Sequence, residues 1–138
     1  MKTSKYIILT LAAGFAAANL ASAAGPKAKL PEASTKENIT YATDIKPIFD
    51  ESCVKCHNGD RAKAGLHLDS LAGVLKGTKH GKVIKPGAPE KSQLVKAIGH
   101  LTKDPDGWMP PLHNKAGIKP LTPEQISLVM GWIKQGAK

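Results

Sequence analysis

Apolar residues recur at helical spacing in separate stretches of this chain, and nowhere do they alternate over the length of a strand. The last stretch is the clearest. Ile126, Val129, Met130 and Ile133 fall at i, i+3, i+4 and i+7, with Trp132 beside them, which predicts an amphipathic helix. Thr122 stands as its cap, Pro123 at its first position, Gln125 where a capping box needs it and Gly136 as its stop. Upstream, Ile45, Ile48, Phe49 and Ser52 share one face of a helix that runs towards Cys53, with Thr43 as cap and Pro47 in the first turn. Pro89 predicts the start of a helix through Leu94, Val95 and Ile98 that ends near Gly99. A shorter helix fits Leu71 to Leu75, inside a stretch punctuated by Gly65, Gly73, Gly77, Gly81 and Gly87. Thr102 to Leu121 is rich in Pro, Gly, Asp and Asn and predicts a long loop, of a length that is usually functional in a compact domain. There is no internal repeat. The pattern is that of an all-α domain with long loops.

The N-terminus reads as an address. Lys2 and Lys5 precede an apolar run from Tyr6 to about Leu20, and Ala21-Ser22-Ala23 forms a small-residue cleavage site, so residues 1–23 are expected to be a signal peptide and Ala24 the first mature residue. The competing reading is an uncleaved anchor, but the strongly apolar part is short and Gly14 and Asn19 interrupt it. No cysteine near the cleavage site supports a lipid anchor. Export implies a periplasmic protein without stable membrane insertion after cleavage. Residues 24–40 are polar, contain Pro26 and Pro31 and lack apolar periodicity; they are expected to be a flexible leader to a single domain over 41–138.

Charge and composition narrow the partners and the core. Without Lys2 and Lys5 the formal charge of +9 falls by two, to +7. All basic residues but Arg61 are lysines, scattered along the chain without interleaved aromatics, which excludes a nucleic-acid interface and fits either an acidic partner or a solvated surface. Aromatic residues make up only 4% of the sequence, and the signal peptide takes Tyr6 and Phe15, leaving Tyr41, Phe49, Trp108 and Trp132 for the core. A domain this small often needs a staple or a cofactor.

Both cysteines lie in Cys53-Val54-Lys55-Cys56-His57. In an exported protein, C-x-x-C-H reads as a c-type haem attachment site. On a helical turn the three side chains can face one side, two sulfurs for the porphyrin vinyl positions and His57 for the iron, with its other ring nitrogen donating to a backbone carbonyl. A thioredoxin-type redox pair would need a βαβ context, and a zinc site would need two more ligands, for which only His67 or His80 offer themselves. A structural disulfide would leave the adjacent histidine unexplained. For the sixth ligand, Met130 sits on the stripe of the last helix, whereas Met109 lies in Gly107-Trp108-Met109-Pro110-Pro111, where the prolines lower the entropy cost of presenting a thioether. His113 and His100 are the main competitors, followed by His67, His80 and an open site.

These segments together, with Asp44-Ile45-Lys46-Pro47-Ile48-Phe49, Gly65-Leu66-His67-Leu68-Asp69, Pro86-Gly87-Ala88-Pro89-Glu90-Lys91-Ser92-Gln93-Leu94 and Gly131-Trp132-Ile133-Lys134-Gln135-Gly136-Ala137, resemble the planctomycete-type cytochrome c domain family. The resemblance implies a class I cytochrome c fold with long loops wrapped around one covalently bound haem c. It implies Cys53 and Cys56 as thioether positions, His57 as proximal ligand and Met109 as distal ligand. It also implies crossing terminal helices that pack through Ile45, Phe49, Val129, Trp132 and Ile133. Family domains often accompany larger catalytic or binding domains, whereas this chain reads as a single module.

The expected function is that of a monomeric periplasmic electron carrier exchanging single electrons with redox partner proteins, acidic ones if the lysines matter. Lys55, Lys63 and Lys82 are candidate rim residues, and Arg61 or Trp108 could bond a haem propionate. The alternatives are a haem subunit or domain of a periplasmic enzyme and a haem-based small-ligand sensor, each with a labile sixth ligand.

Overall fold

The computed structural model describes residues 29–138 except residue 61, so the expected signal peptide, the first part of the expected leader and Arg61 lie outside the described residues. Among the described residues there are four α-helices and no strand beyond an isolated bridge between Thr78 and Gly81. None of these helices is long and apolar enough to cross a membrane.

The first helix is capped one turn earlier than expected. Thr40, not Thr43, is the cap: its hydroxyl accepts the N–H of Thr43. Asp44 supports the same turn by accepting the N–H of Thr40 at 2.9 Å and the hydroxyl of Thr43 at 2.8 Å. From Tyr41 to Ile45 the chain is π-helical, and the N–H of Lys46 reaches back to the Tyr41 carbonyl. Pro47 follows in the first turn of α1, Lys46–Ser52. A proline has no N–H to give and crowds the carbonyl four residues back, so it suits the widened turn that precedes it.

Ser70 caps the short α2, Leu71–Lys76, as its side chain accepts from Gly73. The helix expected from Pro89 is broken in two. Pro89–Lys91 forms a 3-10 turn, and α3, Gln93–Ile98, starts after Ser92. Ser92 is the cause. It is buried, its backbone is extended, and its hydroxyl donates to the Ala88 carbonyl while accepting the N–H of Lys85. Those local bonds compete with a continuous helix. The last helix, α4, covers Pro123–Lys134 with both halves of the capping box formed.

The core centres on α4 and the first helical turns. Ile45, Phe49, Val129, Trp132 and Ile133 are fully buried. Tyr41 joins Phe49 and Trp132, its ring centroid 6.2 Å from the first and 6.0 Å from the second. Three of the four remaining aromatics are thus gathered at this junction.

Residues 29–40 correct the expectation of a flexible leader. They run extended along α4: the Ser34 N–H donates to the Ser127 carbonyl at 2.9 Å, and the Ser127 hydroxyl donates to the Glu32 carbonyl at 2.7 Å. Gln135 accepts from Ile39 N–H and donates to the Lys36 carbonyl. Ile39 is buried in the core. The strap has no apolar period because backbone bonds hold it.

Candidate functional site

The C-terminus of α1 delivers the cysteine motif. Its last turn closes with the N–H groups of Cys53 and Val54 both donating to the Phe49 carbonyl, at 2.8 and 2.9 Å. The next turn repeats the device: Cys56 and His57 both donate to the Cys53 carbonyl, at 3.1 and 3.0 Å. This turn brings residues 53, 56 and 57 to one cleft, which all three line. The loop beyond is tied back, since Lys63 N–H donates to the Cys56 carbonyl and Leu68 N–H to the His57 carbonyl. Tyr41 in turn donates its hydroxyl to the Leu68 carbonyl at 2.9 Å, linking this wall to the aromatic junction.

The cleft encloses about 940 Å³ of empty space continuous with solvent. Volume does not single it out, because a cleft around Ala116 and Pro120 is as large. Its lining does. Besides the motif it is walled by Leu66, Leu68, Val83, Leu94 and Ile98, an almost wholly aliphatic surface with no aromatic ring. Met109 and the two prolines after it line the same cleft from a separate stretch of chain. Met109 is anchored by its N–H, which donates to the Ala97 carbonyl at 3.0 Å.

Of the residues weighed as sixth ligand, Met109 alone lines this cleft. Met130 is buried in α4, His80 and His113 are exposed, His67 packs over Gly73, and His100 stacks on Trp108. Trp108 is otherwise engaged: its indole Nε1 donates to the Thr102 carbonyl at 3.3 Å, rather than standing free for a propionate. Lys55 and Lys63 are exposed, whereas the Lys82 ammonium donates to the Leu75 carbonyl at 2.5 Å.

The ionisation of the motif argues against a reactive redox pair. Burial, reinforced by the neighbouring Cys56, pushes the Cys53 thiol up to about 12. A reactive redox cysteine needs the opposite shift. Burial also holds the His57 imidazole below the usual histidine range, opposed in part by the backbone of Leu66 and Lys63. The neutral ring is the form that ligates a metal. The expected hydrogen bond from its second nitrogen is not formed. Nδ1 is buried with no partner in bonding geometry, although the Leu66 and Lys63 backbone lies near enough to the ring to favour its protonated form. Among the described residues no three His, Cys, Asp or Glu side chains converge as a metal-binding group, so His67 and His80 do not complete a zinc site. Two thiols, a neutral imidazole and a thioether around an apolar cleft are a donor set that fits a covalently held haem.

Asn114 is the residue that sequence reasoning missed. It lines the cleft and staples the loop beyond Met109, donating to the Pro111 and Ile118 carbonyls at 2.7 Å each and accepting the Ile118 N–H at 2.8 Å. Only its place in a Pro-rich loop signalled a turn-forming role.

Residues 53–113 match the family model described as planctomycete cytochrome C, a match that begins at the first cysteine and takes in Met109. Neither the curated proteins nor the solved structures gave a match.

Proposed function

We propose that this chain, which carries a planctomycete-type cytochrome c domain, is a class I monohaem cytochrome c that carries single electrons between periplasmic partners. One observation supports this reading most: the C-x-x-C-H turn and Met109 line the same apolar cleft, and no other candidate ligand does. Bound there, haem c supplies a one-electron iron couple. Cys53 and Cys56 provide the sulfurs for two thioether bonds, His57 a neutral nitrogen donor and Met109 a weak thioether donor, a pairing that raises the reduction potential. With the haem bound, the aliphatic walls would shield it from water on the buried side, which favours its less charged state. If His57 and Met109 both hold the iron, no coordination site would be left for a substrate, which would distinguish a carrier from an enzyme subunit or a ligand sensor. An exposed, lysine-bearing rim at Lys55 and Lys63 suits brief, charge-steered encounters with acidic proteins. Residues 1–23 direct export in this reading, and the mature protein is a monomer.

The test is the intact mass of protein produced with a cytochrome c maturation system and then denatured. The expected result is one haem retained per chain. Cys53→Ser and Cys56→Ser should each retain it through a single bond, and the double variant should lose it. A mass without haem, or haem released by denaturation of the native sequence, contradicts the proposal.

A further inference from the structure

Between α3 and Met109 the chain makes a closed excursion. The Ala97 carbonyl accepts the N–H of His100 at 3.1 Å and that of Met109 at 3.0 Å, so the loop leaves from and returns to one backbone oxygen. Ala97 itself lines the cleft. Inside the excursion the His100 ring lies flat on the Trp108 indole, with centroids 5.1 Å apart and planes 4° apart. His100 holds this position with φ at 54°, a left-handed conformation that side-chain-bearing residues disfavour and that the surrounding structure must impose. Its Nε2 is buried without a hydrogen-bond partner, so no bond at that atom orients the ring and the stack does. Trp108 is fixed on its other side as well. Its indole reaches the Thr102 carbonyl, and Thr102 packs so closely on Gly107 that an added Cβ there would come to 3.0 Å from the Thr102 hydroxyl.

The His100 ring and the Thr102 carbonyl therefore both bear on Trp108, the residue immediately before Met109. We infer that His100 is a positioning residue for the distal ligand: its ring clamps Trp108 and so holds the Met109 thioether in place at the cleft. The inference rests on the reading of Met109 as that ligand. Removing the ring leaves the Ala97 bond to Met109 in place but leaves the Trp108 indole held only by its 3.3 Å bond to the Thr102 carbonyl, which loosens the backbone that aims the thioether. An aromatic pair of this kind shifts an equilibrium roughly two- to tenfold.

The experiment uses mature haem protein and two readouts: the weak charge-transfer band at the red end of the ferric spectrum that a methionine ligand gives, and carbon monoxide titration of the ferrous form. His100→Asn is the first variant, because asparagine tolerates the left-handed backbone while lacking the ring. It should weaken the band and raise the apparent affinity for carbon monoxide about two- to tenfold. Trp108→Leu should do the same, and it decides the matter if His100→Asn does not fold. Trp108→Phe retains a ring for the stack and should stay within about twofold of the native protein. Folded His100→Asn or Trp108→Leu with native band and native carbon monoxide affinity overturns the inference, even if its melting temperature falls, since that would be a structural role only. A native protein without the band overturns the Met109 reading instead, and the clamp with it.

Discussion

Tyr41 joins the haem-motif wall to the aromatic junction through a single hydroxyl. Burial, then Asp50 and Asp69, pushes its phenol up to about 12 from an ordinary 10.0. The folded chain therefore holds that proton more tightly than the unfolded chain does. Its contribution is fully present below pH 10 and is lost as pH rises towards 12. Tyr41→Phe should cost about 1 kcal/mol at neutral pH, the net worth of the hydrogen bond to the Leu68 carbonyl. It should also flatten the fall in stability between pH 10 and 12 relative to the native chain, and denaturant unfolding at both pH values measures this. An unchanged slope would show that the phenol titrates as if exposed. At this scale the residues that line the cleft as candidate ligands were legible, because C-x-x-C-H points to its chemistry by residue type and spacing and Met109 stood in a loop with no packing reason for it. Asn114 and Ala97 were not. They act through bonds to backbone groups whose positions only the folded loop defines.

The least legible element was the strap over residues 29–40. It carries one buried isoleucine, with Leu30 and Ala33 partly buried against the core at no regular period, and is otherwise held by hydrogen bonds of its backbone to Ser127 and Gln135, which leave no mark on hydrophobic periodicity. The same blindness moved the first cap from Thr43 to Thr40 and hid the break at Ser92, both decided by side-chain oxygens competing for backbone groups. The last helix was fully legible because stripe, cap and proline agree. Its Gly131 now has a reason. A Cβ there would lie 2.8 Å from Ile39 Cδ1 and 2.9 Å from both the Ser34 Cβ and carbonyl oxygen, so the glycine lets the strap approach. In a free helix, Gly131→Ala would stabilise by about 1 kcal/mol. Here two of the three contacts involve Ser34 of a strap pinned by its own N–H to Ser127, and overpacking costs about 1–3 kcal/mol. The expected outcome is a net loss of stability with faster proteolysis before residue 40. A variant as stable as the native chain or more so would show that the strap is only loosely laid on α4.

For the molecule as a whole, the shortage of aromatics resolves into a division of space. Tyr41, Phe49 and Trp132 fill the helix junction, Trp108 is committed to its own loop, and the cleft that the motif lines is left to aliphatic walls. In the proposed reading, a planar porphyrin would supply there the apolar bulk that the sequence lacks. The net charge, +9 over the full sequence and two less without Lys2 and Lys5, acts at this scale too, as a long-range field that salt screens beyond about 10 Å. Everything turns on Met109 and His57 being the residues that meet across that cleft, and the comparison of two methionines tests it most directly. In mature haem protein, Met109→Ala should abolish the methionine charge-transfer band and open the ferrous form to carbon monoxide, while Met130→Ala should lose about 2–5 kcal/mol of stability as a buried core residue and keep the band. Retention of the band in Met109→Ala, or its loss in folded Met130→Ala alone, would contradict the assignment.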